Sequence, residues 1–99
     1  GIGAAWRYEV PFRLEVIALL FLIPAAFLVG KTGIERALLI GSLLLVLIVE
    51  LGNSALEAAL DRISLDPHPL TGRAKDIGSA AVFFALVNAA AIWLLILLA

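Results

Sequence analysis

Glu50, Asn53, Glu57 and Asp61 follow one another at spacings of three, four and four residues, which on a helix places all four polar side chains along one stripe. Three carboxylates and an amide in that arrangement can accept a proton, hold a divalent cation through hard oxygens, or orient a phosphate. Residues 43–49 just upstream form an unbroken apolar run, beside which an ionisable group needs a reason to exist. Glu50 is the most apolar-embedded of the acids. Its spacing leaves two readings open: a general base, or a helix–helix hydrogen bond to Asn53 or to another chain.

All of the carboxylates except Glu35 fall on one predicted side of the chain: Glu9, Glu15, Glu50, Glu57, Asp61, Asp66 and Asp76. Clustering of this kind invites magnesium, which is commonly bound by one or two carboxylates together with substrate phosphates. Glu9 and Glu57 reach one ion if the first two spans pack side by side; the plainer alternative is acids that solvate an interface. Gly72-Arg73-Ala74-Lys75-Asp76 is expected to open a helix, where free backbone donors with Arg73 and Lys75 hold phosphate oxygens, or where Lys75 and Asp76 simply anchor at the interface. The segment matches neither the Walker A loop nor the protein-kinase motif set. His68, the single histidine, sits between two prolines with no cysteine in the chain; it reads as a loop residue or a nucleotide contact, and has no partner for a metal site.

These residues need a frame, and the composition says which kind. Of 99 residues, 64% are hydrophobic and 15% charged, with a mean hydropathy of +1.14, which is the mix of an integral membrane protein and not of a soluble domain. The length suits one compact helical bundle. A net charge of −1 without a run of Lys or Arg argues against a nucleic-acid binder, and the absence of cysteine excludes a disulfide framework and a thiol nucleophile. No methionine occurs anywhere, so a segment preceding Gly1 is expected.

Hydropathy predicts three spans: residues 12–29, residues 34–49 continuing as helix to 62, and residues 77–99. Pro24 falls inside the first span and removes one backbone donor. Gly30-Lys31-Thr32-Gly33 reads as a turn, and residues 64–72, with two prolines and a glycine, as the one substantial loop. The mixed segment at Trp6 to Glu9 reads as the end of an amphipathic surface helix, with Trp6, Tyr8 and Trp93 suited to the membrane interface. Five of the seven basic residues, Arg7, Arg13, Arg62, Arg73 and Lys75, share a side. The positive-inside rule therefore predicts a cytoplasmic N-terminus and Pro-rich loop.

The ordered residues Ala5-Trp6 with Glu9, Phe12-Arg13-x-Glu15, Glu50-x-x-Asn53-Ser54-x-x-Glu57-x-x-x-Asp61-Arg62 and Gly72-Arg73-Ala74-Lys75-Asp76-x-Gly78-Ser79-Ala80-Ala81 give the chain a resemblance to the small bacterial integral-membrane diacylglycerol kinases, whose relatives include undecaprenol kinases. The resemblance runs through nearly the whole chain. It implies an all-α, polytopic membrane protein of the bacterial inner membrane: one kinase domain over 1–99, three transmembrane helices per subunit plus the remnant of the surface helix, assembled as a homotrimer with composite cytoplasmic active sites. It implies Glu50 as the base that deprotonates a lipid hydroxyl, and Glu9 and Glu57 as holders of the magnesium that accompanies ATP. Asn53, Asp61, Asp66, His68, Lys75 and Asp76 would shape the nucleotide site with them. Arg13, Glu15, Arg36, Ser79 and Trp93 match positions of the lipid cleft. Pro11, Pro67 and Pro69 depart from the residues expected there. The lipid is diacylglycerol or undecaprenol, and the reading from a different class is a small oligomeric transporter or channel subunit that uses Glu50 as its intramembrane carboxylate.

Overall fold

The computed structural model describes residues 1–63 and 66–99, with Pro11 described by its backbone alone. Four helices follow in order, and no strand occurs among the described residues: α1 (Ile2–Tyr8), α2 (Val10–Val29), α3 (Gly33–Ile63) and α4 (Pro69–Leu98). Two of them, over Phe12–Val29 and Pro69–Leu98, are long and apolar enough to cross a membrane. At about 1.5 Å per residue α3 is about 46 Å long, so it carries the apolar run and the polar stripe on one continuous rod.

Glu9 alone separates α1 from α2. Its extended backbone (φ −111°, ψ 102°) ends the first helix and begins the second. Its amide donates to the Ala5 carbonyl at 2.9 Å, and its own carbonyl accepts from Arg13 at 3.2 Å. Pro11 falls in the first turn of α2, where a missing N–H costs nothing. Trp6 meets the buried Phe12 edge-on, with ring centroids 6.4 Å apart, and so ties α1 to α2.

At the opposite end, α2 turns into α3 through a closely packed connection. Gly30 is required there for space: a Cβ would come within 2.6 Å of Arg36 Cγ and 3.0 Å of the Ala26 carbonyl oxygen. Arg36 Nε donates to the Phe27 carbonyl at 3.3 Å, satisfying one of the acceptors that the end of α2 leaves free. Thr32 Oγ1 accepts from the Glu35 amide at 3.1 Å, and Glu35 Oε1 accepts from the Lys31 amide at 2.7 Å. This is the reciprocal logic of a capping box at the start of α3.

α3 is the central element, packed most extensively on α4 and next on α2. Leu39, Ser42 and Val46 are its buried residues, with Ala26 from α2 and Ala85 from α4. Ser42 Oγ returns a hydrogen bond to the Leu39 carbonyl at 2.8 Å. Large apolar side chains point outward along the spans, among them Leu28 at 87% exposure and Phe21 at 74%, a surface suited to lipid or to further protein and not to water.

The fourth helix begins at Pro69, one turn before the expected opening at Gly72 and well ahead of the span predicted from residue 77. Proline is pre-organised for the first helical turn, and His68 caps it: Nδ1 accepts from the Leu70 amide at 3.1 Å. The Gly72 amide already donates to the His68 carbonyl at 3.0 Å. Residues 73–76 thus lie inside the helix, and the expectation that the 72–76 segment opens it with free donors is corrected.

Candidate active site

The lower half of α3 meets the α1–α2 junction and α4 in a cleft of about 200 Å³ lined by Glu9, Glu50, Asn53, Ser54, Glu57 and Val82. The stripe delivers Glu50, Asn53 and Glu57 from one helix, and the break at Glu9 delivers a carboxylate from the other side. Glu9 and Glu57, both half-buried, therefore share a cleft within a single chain. No group of three or more metal-ligating side chains forms among the described residues. Two carboxylates in an open cleft nonetheless fit magnesium, which takes oxygen donors and fills the rest of its shell with water and phosphate.

Glu50 also faces α2, where its carboxyl group lies against that of Glu15. Glu15 stands at the head of an apolar cleft between α2, α3 and α4, of about 160 Å³, otherwise lined by Ala18, Leu19, Leu22, Leu43, Val46, Leu86 and Ala89. Glu50 Oε2 and Asn53 Oδ1 are buried with no hydrogen-bond partner among the described residues. Buried polar atoms are nearly always satisfied, so the Glu50 orphan marks a place where something else completes the set, whereas Asn53 Oδ1 packs against the α4 backbone at Gly78.

A third cavity, about 270 Å³, lies between the end of α3 and the start of α4, lined by Asp61, Asp66, Pro67, His68, Thr71, Gly72 and Lys75. Lys75 Nζ pairs with Asp61 Oδ1 at 2.9 Å, both side chains well exposed, and Glu57 lies within electrostatic reach of the same ammonium. Glu57 thereby links the acid cleft to the lysine.

The sequence-selected residues thus separate into groups. Glu9, Glu50, Asn53 and Glu57 share the acid cleft, with Glu15 against Glu50. Asp61, Asp66, His68 and Lys75 share the neighbouring cavity. Arg13 is half-buried on the first turns of α2, while Asp76 and Ser79 are exposed on α4. Arg36 is not brought to either cavity; it sits at the α2–α3 turn, about 21 Å along the helix from Glu50. Trp93 lies near the far end of α4 with its Nε1 buried and unpartnered among the described residues. Ser54, Thr71 and Val82 line the cavities without having been singled out for chemistry. Ser54 had a signal, its place inside the polar stripe next to Asn53.

A helical protein with membrane-length apolar helices and an acid-lined cleft at one end is the class that fold and site define. A model of the prokaryotic diacylglycerol kinase family matches residues 1–97. The chain is 53% identical over 98 residues to a diacylglycerol kinase of Pseudomonas aeruginosa, covering 99% of this chain and 80% of that protein. It is 47% identical over 97 residues to the diacylglycerol kinase of Escherichia coli K12, covering 98% and 80%. With that of Helicobacter pylori 26695 the identity is 41% over 93 residues, covering 94% and 73%. The chain belongs to the prokaryotic diacylglycerol kinase family, and is a lipid kinase of that family.

Proposed function

We propose that this chain transfers the γ-phosphoryl group of ATP directly to the primary hydroxyl of diacylglycerol, giving phosphatidic acid. The observation that carries the reading is the shared cleft: Glu9 and Glu57, from different helices, line it together with Glu50. In the reaction the lipid oxygen bonds to the γ-phosphorus, the bond from that phosphorus to the β–γ bridging oxygen breaks, and ADP leaves. Glu50 takes the hydroxyl proton, with the carboxyl group of Glu15 beside it. Glu9 and Glu57 are the residues that would hold magnesium, which when bound offsets charge on the phosphates. Lys75 leaves Asp61 to meet phosphate oxygens, while Asn53, Asp61, Asp66, His68 and Asp76 surround the nucleotide. Catalysis is then largely a matter of positioning and electrostatics.

The apolar cleft headed by Glu15 suits the acyl part of the substrate, with Arg13 and Ser79 near the headgroup. Trp93, one turn beyond Ala89, and Arg36, two turns before Leu43, lie toward the cleft's far end. In this reading α3 is the third transmembrane helix, the N-terminus and active site face the cytoplasm across the inner membrane, and three copies assemble so that neighbouring chains complete each site. The outward-facing apolar surfaces support such an assembly.

The test is phosphorylation of lipid by the purified protein with labelled ATP, with and without magnesium, in parallel on diacylglycerol and undecaprenol in the same detergent. Magnesium-dependent labelling of diacylglycerol is expected. Preference for undecaprenol would move the substrate assignment. Cation flux through vesicles without phosphoryl transfer would replace the kinase reading with the transporter one, against which the gathering of the acids at one end of the helices already counts.

A further inference from the structure

The geometry points to Gly78 as a positioning residue for phosphoryl transfer: the bare backbone of α4 at this residue receives the Asn53 amide and fixes how it faces the cleft. A Cβ at 78 would collide with Asn53 Oδ1, and would come within 3.2 Å of Asn53 Cγ and 3.4 Å of Leu56 Cδ2. The other helical glycines, Gly3, Gly33, Gly41, Gly52 and Gly72, have nothing within 4 Å of such an atom. Glycine inside a helix costs about 1 kcal/mol relative to alanine, and at 78 the close approach of Asn53 supplies the reason for it.

The same contact explains what Asn53 has left to offer. Its Oδ1 is buried against α4 without a hydrogen-bond partner among the described residues. The remaining polar atom, the Nδ2 donor, is the one available to a cleft lined by three carboxylates. A donor held there orients either a carboxylate or a phosphate oxygen, whereas a flipped or displaced amide would present an acceptor to carboxylates and phosphates, which offer no proton. Gly78 therefore acts through Asn53 and does not itself touch the substrate.

This inference rests on the lipid-kinase reading, and a double-mutant cycle separates the two. Gly78→Ala, Asn53→Ala and the double variant are compared for kcat and KM with magnesium-ATP and with lipid, and for thermal unfolding. The colliding atom is the end of a side chain that can swing aside, so Gly78→Ala is expected to fold. Its kcat/KM for magnesium-ATP should fall at least about tenfold, as a misplaced group commonly causes, with the lipid KM unchanged. In the Asn53→Ala background, the same substitution should cost less than about twofold, because independent losses add and shared ones do not. Full activity of Gly78→Ala, or equal losses in both backgrounds, would overturn the assignment. If Gly78→Ala fails to fold while the double variant folds, the contact is upheld; if both fail alike, it is not. An inactive wild type would strike down the kinase reading, while the thermal cycle would still decide whether Gly78 and Asn53 are coupled.

Discussion

The two ends of this molecule carry similar residue types and treat them oppositely. At the α2–α3 turn, Lys31, Thr32, Glu35 and Arg36 are tied into local hydrogen bonds with one another or with the Phe27 carbonyl. At the other end of α3, Glu50 Oε2 and Asn53 Oδ1 are buried without partners among the described residues, and Glu9 and Glu57 face the same open cleft. The first arrangement is that of polar groups finishing helices. The second leaves polar groups incomplete, at a cost of roughly 1–3 kcal/mol for each unsatisfied atom, and such local violations concentrate where a protein does its work.

That contrast breaks most decisively at Glu50. Glu50→Gln keeps the shape and one acceptor oxygen but cannot take a proton, so kcat should drop by about 10²–10⁴-fold with the assembly unchanged by size-exclusion chromatography; near-normal turnover would remove the base assignment. Glu57→Gln should lower activity by about 10–100-fold, partly recovered as magnesium is raised, a titration that distinguishes ion binding from damage to the fold. Lys75→Met should raise the KM for ATP by about tenfold, the scale of one charge-assisted hydrogen bond, and leave the lipid KM in place.

At the finished end the expectation reverses, and the readout is stability. Gly30→Ala forces a methyl against Arg36 and the Ala26 carbonyl and should destabilise the protein by about 1–3 kcal/mol without changing kcat. Thr32→Ala removes a single cap and should cost about 1 kcal/mol, seen as a lower thermal midpoint with unaltered turnover. A kinetic effect from either variant would mean that the two ends are coupled.

The helices and the acid stripe were legible because apolar runs and a three-four-four spacing are local properties of sequence. The start of α4 lies three residues ahead of the expected opening at Gly72 because prolines signal the end of one helix and the beginning of another alike; His68 ahead of Pro69 is the cap that decides it. That Glu9 and Glu57 line one cleft could be stated only as a condition on how two spans pack, and the closeness of Glu15 to Glu50 has no spacing to announce it. Gly78 looked like any small residue among Gly78-Ser79-Ala80-Ala81, since its purpose lies on a different helix. Arg36 carried the same charge as Arg13 and Lys75, and only its place in the turn gave it a structural task.

The single-residue joint at Glu9 leaves no slack between α1 and α2. Any force that tilts the short helix must be absorbed by the φ and ψ of one residue, and so arrives at its carboxylate as a rotation. The carboxylate that lines the cleft beside Glu57 therefore sits at the pivot itself, and in the proposed reading any change in the tilt of α1 reaches the cleft through that one residue.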